Sequence, residues 1–302
     1  TIGVVAGSSV LGMLIPPSAM LIIYAIVTEQ SIGQMFVAGI IPGILLSIAF
    51  SILILILAYA VPSWVGGVEA KDVANEDWAK MTFWVLIKKL FPIVLLISVV
   101  LGGIYGGIVT PVEAGAAGAL TALIIAVAKW AISWEDLWEV LVETGYIAAT
   151  ILFLIITATM YNRMLGVAGL PTQFGEWLTS MDLTIGQIMT LYVILLLLLG
   201  TILDTASIIL IIVPLFLTAL DSFGIDLVWF GIVTVVGAEI GLLTPPLGIS
   251  CFVIKSTIND PNISLFDIFT GAFPFAVTML LTLIIFINYP ILSTYLLQFG
   301  LM

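Results

Sequence analysis

Two proline pairs carry the most specific chemistry in the sequence. Gly12-Met-Leu-Ile-Pro16-Pro17 returns as Gly241-Leu-Leu-Thr-Pro245-Pro246, each inside an otherwise apolar stretch. Proline has no amide hydrogen, and its ring collides with the carbonyl four residues earlier. The carbonyls of Gly12 and Met13, and of Gly241 and Leu242, therefore lose their helical partners. Unpaired acceptors are costly in an apolar medium, and a desolvated hard cation is a natural partner for them. A second polar cluster, Gly200, Thr201, Asp204, Thr205 and Ser207, lies between two apolar arms. Small and hydroxyl-bearing residues suit a tip whose backbone must approach an ion or substrate closely. A carboxylate flanked this way, as Asp204 is, is costly at membrane depth and functional by default; its other reading is the N-cap of the following helix. Glu239, two residues before Gly241, is placed to ligate an ion, pair with a donor or take up a proton. Thr110-Pro111-Val112-Glu113 reads as an ordinary helix start, with Thr110 as N-cap and Pro111 at the first helical position.

These groups need a scaffold, and composition says which kind. Of the 302 residues 62% are hydrophobic and 8% charged, against about 45–50% and about 25% in soluble domains. The apolar stretches run without alternation, as in LLSIAFSILILILAYAV from Leu45, which excludes a transmembrane β-barrel and leaves an all-α bundle of many crossings at about 20 residues each. A net charge of −11 argues against nucleic-acid partners, which need a basic surface. The sequence has no histidine and one cysteine, Cys251. The usual general base, proton shuttle and cysteine metal site are thereby missing, and an intramembrane enzyme is disfavoured.

Segments long enough to span or half span a bilayer fall near 1–24, 36–61, 88–107, 112–130, 144–162, 186–220, 227–254 and 271–292. The connector 62–87 is polar. Placing it in the cytoplasm puts Lys71, Lys80, Lys88, Lys89, Lys129 and Lys255 on one side, with only Arg163 opposite. That topology leaves the C-terminus outside and makes 186–220 a re-entrant hairpin, which is tolerated when buried in protein or lining a watery cavity. Trp64, Trp78, Trp84, Trp130, Trp134 and Trp138 fall near segment ends, as interfacial anchors do. Phe36, Gly39 and Pro42 follow the first proline pair, and Phe269, Gly271 and Pro274 follow the second, so an internal repeat is expected, inverted by the topology. It divides the chain into 1–61, the end of a first repeat; 62–87, the connector; and 88–302, a second repeat.

At these motifs the sequence resembles the large membrane subunit, DctM type, of the tripartite ATP-independent periplasmic (TRAP) transporters. The likeness is carried by Ser31 to Gly43, SIGQMFVAGIIPG, by Gly102 to Ala114, GGIYGGIVTPVEA, by Glu239 to Gly248, EIGLLTPPLG, and by Gly200-Thr-Ile-Leu-Asp204. It implies an inverted-repeat ion-transporter fold with broken helices, in the bacterial inner membrane. It also implies sodium as coupling ion with no other cofactor, a small four-helix membrane subunit, a periplasmic binding protein, and small acidic substrates such as dicarboxylates or sugar acids. A related sodium/carboxylate carrier without a binding protein is the other reading.

Combined with the freed carbonyls, the likeness gives an expected sodium site of Gly200, Thr201, Asp204, Thr205, Gly241 and Thr244, with Gly12 and Met13 at a related one. Expected substrate contacts are Ser8, Ser9, Pro16, Thr205, Ser207 and Pro245. The family's first repeat carries an inner hairpin ahead of its Pro-Pro helix, where only Thr1 to Ser9 stand. The first repeat thus reads as truncated, and roughly a hundred or more further residues are expected before Thr1. The lysine distribution is tested by a cysteine placed at Ala70: an impermeant thiol reagent should label it from the cytoplasmic side, and labelling from outside overturns the topology.

Overall fold

A computed structural model of the chain describes residues 2–62, 83–258 and 263–299. Every regular element among them is helical. Five helices are long and apolar enough to cross a membrane, or six if one bent pair counts as a single span. The chain is thus an all-α, multi-pass membrane protein. It divides into two compact units, one of residues 1–70 and 165–300, the other mainly of residues 71–164.

In the first unit the expected segment 1–24 is not one helix. It is α1 (Ile2–Leu14), a break, and α2 (Ala19–Thr28), the two bent by 40°. Ser18 closes the break at both ends: its hydroxyl donates to the Met13 carbonyl and accepts from the Leu21 amide, capping α2. α3 (Ile32–Ala60) follows, capped by Ser31 and with Pro42 inside.

The same order recurs later. α10 (Leu227–Leu242), capped by Asp226, is followed by a break, α11 (Ile249–Ile258), and α12 (Leu265–Asn288) with Pro274 inside. Segment 227–254 is thus also two helices. Both proline pairs lie in the breaks, and both Pro-Pro peptide bonds are cis. Between the two sets come α7 (Leu170–Ser180), α8 (Ile185–Gly200) and α9 (Thr205–Ser222). The chain ends in α13 (Ile291–Thr294) and a 3-10 turn, Tyr295–Phe299.

The first unit is organised around α10, in which every residue from Val228 to Leu242 is buried. In lipid the association of helices gains little from hydrophobicity and depends on close packing and hydrogen bonds, and both are visible around α10. Tyr24 Oη donates to the Leu227 carbonyl at 2.6 Å, Trp229 Nε1 to the Phe286 carbonyl at 2.8 Å, and Tyr192 Oη bonds Thr234 Oγ1 at 2.9 Å. The Tyr192 ring lies 4.6 Å from Phe230 and 4.8 Å from Phe216. Glycines set the closest approaches: a Cβ on Gly3 would meet the Gly271 carbonyl oxygen at 1.9 Å, where α1 crosses α12, and one on Gly39 would meet the Leu14 carbonyl oxygen at 2.8 Å, where α3 passes the first break.

The second unit contains α4 (Phe83–Tyr105), α5 (Pro111–Ala128) and most of α6 (Trp134–Val167). The α4–α5 turn uses Gly107 at φ 63, and Thr110 and Glu113 form a complete capping box, the Thr110 amide donating to Glu113 Oε2 at 2.7 Å. Glu113 thus takes its helix-start role. Segment 144–162 is the middle of a longer helix: at 34 residues α6 reaches about 51 Å, beyond a hydrocarbon core of about 30 Å. Its acidic residues Glu135, Asp136, Glu139 and Glu143 all fall in the first ten positions.

Two further expectations change. Residues 83–87, assigned to the connector, are the first turn and more of α4, because Phe83 to Ile87 continue the apolar run without a breaker. The rest of the connector, 63–82, lies outside the described residues. α7 was not expected at all: Pro171, Gln173 and Glu176 dilute its apolar content, yet it packs along α9, with Phe174 and Phe216 5.0 Å apart. The compact units cut across the segments 1–61 and 88–302, since a repeat is defined by internal likeness and a compact unit by packing.

The glycine crossings predict a contrast in stability. Gly3→Ala should destabilise the purified protein by about 1–3 kcal/mol through overpacking, whereas Gly115→Ala, with nothing within 4 Å of the added carbon, should gain up to about 1 kcal/mol from helix propensity. Thermal melting in detergent reads both; equal effects would show that the crossing is not tight.

Candidate functional site

The tip between α8 and α9 is four residues, Thr201 to Asp204. Its shape follows from local bonds: the Ile202 and Leu203 amides both donate to the Leu199 carbonyl, at 2.9 and 2.8 Å, and Thr201 Oγ1 donates to the Leu198 carbonyl at 2.8 Å. Asp204 is exposed and caps α9, accepting from the Ser207 amide at 3.2 Å and from the Ser207 hydroxyl. The cap is therefore what holds the Asp204 carboxylate at the tip.

The tip sits on the end of α10 through two contacts that admit no larger side chain. A Cβ on Gly200 would meet the Ala238 carbonyl oxygen at 2.7 Å, and one on Gly241 would meet the Gly200 Cα at 2.5 Å. α8 and α10 thus cross glycine on glycine. A third contact comes from the second break, where the Gly248 amide donates to the Thr201 carbonyl at 3.3 Å. The fourth is polar and buried: Thr205 Oγ1 donates to Glu239 Oε1 at 2.7 Å, each residue 2% exposed.

The freed carbonyls fare unequally. Met13 accepts from the Ser18 hydroxyl, and Gly241 accepts from the Thr244 amide at 3.0 Å and Thr244 Oγ1 at 2.9 Å. The chain supplies its own donors at these two positions, which the proline argument alone did not foresee.

A cavity of about 310 Å³ joins the two breaks, near the lower end of the roughly 300–1,000 Å³ of small-molecule sites. α1 contributes Ser9 and Met13, α2 Met20, the tip Asp204 and Thr205, α10 Glu239 and Leu242, and α11 Ser250 among apolar neighbours. The wall therefore carries two carboxylates and three hydroxyls, and no Lys or Arg among its described lining residues. These few polar groups, set in a mostly apolar wall, offer acceptors of the kind a cation needs. No group of three or more His, Cys, Asp or Glu stands together among the described residues, so a cation held here would draw on hydroxyls and backbone carbonyls as well as carboxylates, a donor set fit for a hard ion.

Of the expected residues, Gly200, Thr201, Thr205 and Gly241 converge at the tip and α10, with Asp204 beside them, and Ser9, Met13, Asp204 and Thr205 share the cavity wall. Gly12 is exposed with nothing within 4 Å of its Cβ direction, and Ser8 turns its hydroxyl onto the Val5 carbonyl at 3.1 Å. Neither lines the cavity. Pro16 is buried beside Gly39, Ser207 is engaged by Asp204, and Pro245 is exposed. Ser250 and Met20 are additions from the structure. Ser250 had a faint signal, being a lone hydroxyl just beyond the second proline pair; Met20 had none.

Apolar helices, two of them interrupted, gathered round a mostly apolar cavity that holds a few polar groups have the form of a membrane permease, and comparison with known proteins agrees. The family described as "Tripartite ATP-independent periplasmic transporter, DctM component" matches residues 1–292. The C4-dicarboxylate TRAP transporter large permease protein DctM of Pseudomonas aeruginosa is 32% identical over 96% of this chain and 66% of its own length, and that of Vibrio cholerae 32% identical over 97% and 67%. The sialic acid TRAP transporter large permease protein SiaM of Vibrio cholerae is 28% identical over 95% and 65%. The chain belongs to the DctM family of TRAP transporter large permeases, a family of transport proteins and not of enzymes. It spans about two thirds of the length of these relatives.

The glycine crossing at the tip predicts that Gly200→Ala and Gly241→Ala each abolish or strongly reduce transport by the complete transporter, while Gly186→Ala at the far end of α8, with open space around it, leaves it intact. Uptake measured at matched membrane expression decides; full activity in Gly241→Ala would remove the crossing from the working site.

Proposed function

We propose that this chain is the membrane transport part of a sodium-coupled secondary transporter for small organic acids in the bacterial inner membrane. It works with a small four-helix membrane subunit and a periplasmic binding protein. The observation that carries the ionic half is the cavity wall, which has two carboxylates and no basic side chain among its described residues. An organic anion entering such a wall alone meets like charge; a bound cation offsets it and couples the two solutes. This is reciprocal linkage: each ligand strengthens the other by the same factor. Sodium fits the donor set of hydroxyls, carbonyls and a carboxylate at Thr201, Asp204, Thr205 and Gly241. Ser9 and Ser250 face the same space and are proposed as substrate contacts. Small acids as cargo, and the two partners, are supported by family membership and by the names of the relatives.

The same reading keeps the 62–87 connector in the cytoplasm, treats 1–61 and 88–302 as inverted repeats, and makes α8 and α9 a hairpin entering and leaving on one side. Interrupted helices at matching positions of two repeats are the hallmark of a secondary transporter's site.

Uptake into proteoliposomes by the complete transporter tests the proposal. Sodium should drive uptake, with lithium and potassium poor substitutes, and omission of the binding protein should abolish it. Asp204→Asn should raise the sodium concentration for half-maximal uptake about tenfold, the equivalent of one charge-assisted contact. Uptake unchanged without sodium under a maintained proton gradient refutes the coupling.

A further inference from the structure

We infer that Glu239 is a positioning residue: it fixes the hairpin tip and aims the Thr205 hydroxyl by accepting that hydroxyl's hydrogen bond, and does so as an acceptor, not through its charge. The inference rests on the proposed ion site for its transport consequence, but its structural content stands apart from it.

Thr205 is the first residue of α9 and Glu239 lies on α10, so their 2.7 Å bond ties the far side of the tip to α10, beside the bare-backbone crossing of α8 and α10 at Gly200 and Gly241. Both side chains are 2% exposed. Burial removes water as an alternative partner for either, so losing one leaves the other unsatisfied. The bond is also directional. A threonine hydroxyl has one hydrogen and two lone pairs; with the hydrogen committed to Glu239, only lone pairs remain for the cavity that Thr205 lines. An acceptor-only face is what a cation requires. Without Glu239 the hydroxyl can turn and donate to a neighbouring carbonyl, as Thr201 and Thr244 do to the Leu198 and Ile240 carbonyls. Groups that orient a ligand in this way are typically worth about 10–100-fold in metal affinity.

The other contacts at the tip cannot do this work. The Gly200–Gly241 crossing sets how near the tip lies, and the Gly248 amide holds the Thr201 carbonyl, but neither acts on the Thr205 side chain. Asp204 is engaged locally by Ser207.

Four variants in the complete transporter separate the parts. Thr205→Val removes the donor at constant shape and Thr205→Ser keeps it; Glu239→Leu removes the acceptor and Glu239→Gln keeps a carbonyl while dropping the charge. Tip order is read without any ion by spin-label mobility at Ile202→Cys, an exposed tip position, with the buried Cys251 replaced by alanine. Thr205→Val and Glu239→Leu should each free the label, Thr205→Ser and Glu239→Gln should restore its order, and the Thr205→Val/Glu239→Leu double variant should be no worse than either single change. The sodium concentration for half-maximal uptake should rise roughly tenfold or more in the two disruptive variants. If Glu239→Gln disorders the tip as much as Glu239→Leu, or Thr205→Val leaves it ordered, the inference is overturned. If the tip follows the hydrogen bond but uptake ignores sodium in the parent, the positioning role stands and the sodium reading fails.

Discussion

Proline cannot donate a backbone hydrogen bond, and the arrangement of the polar centre depends on that single deficiency occurring twice. Two adjacent prolines follow the last turns of α1 and of α10, at Leu14 and Leu242, and end both helices inside the protein. Each stop leaves carbonyls pointing along a vanished helix axis, and each must be answered locally. Ser18 answers one and Thr244 another, the first by capping the next helix and the second by folding back on its own turn. Because the stops are internal, other elements must come in to cover them, and they can do so only where backbones are bare. Hence glycine faces glycine at α8 and α10, and Gly39 of α3 faces the Leu14 carbonyl.

The covering elements then define the cavity. α10 contributes no surface to lipid, since its length from Val228 on is buried, so its polar residue Glu239 can only face protein or the cavity. Thr205 meets it from α9 and Ser9 from α1. The polar groups of the wall thus follow from packing: among the described residues, the carboxylates of Asp204 and Glu239 and the hydroxyls of Ser9, Thr205 and Ser250 gather beside the ends of the two interrupted helices. Membership of the DctM family gives this geometry its context.

The sequence announced the interruptions plainly. Proline pairs, the GTILDTAS tip and the long apolar arms are local signals, and the helix breaks, the tip and the multi-pass class all lay within reach of them. Capping was legible too, as Thr110 and Glu113 show. Pairings between distant residues were not. Nothing in the spacing of Thr205 and Glu239, 34 positions apart, marks them as partners: Glu239 was recognised as able to pair with a donor, but not which donor. Ser8 was placed beside Ser9 by proximity in sequence, but a helix turns 100° per residue, and its hydroxyl turns onto the Val5 carbonyl; Gly12 was placed by its freed carbonyl, and the structure leaves it exposed and off the cavity wall. α7 escaped because its fit depends on Phe174 meeting Phe216, a contact that no period within 170–180 encodes.

The shortness of α8 and α10 has an electrical side. Sixteen residues of helix extend about 24 Å, less than an insulating layer of about 30 Å, so under the proposed topology, with each helix entering from one face, the tip where both end would lie part-way through that layer. A cation reaching that depth from either face crosses only a portion of the membrane potential, and a full crossing is worth about 2.3 kcal/mol per charge at 100 mV. If the proposed cation site holds, binding alone would therefore move charge before any cargo moves. The resting voltage of the cell would then act on the affinity of the site as well as on the direction of transport.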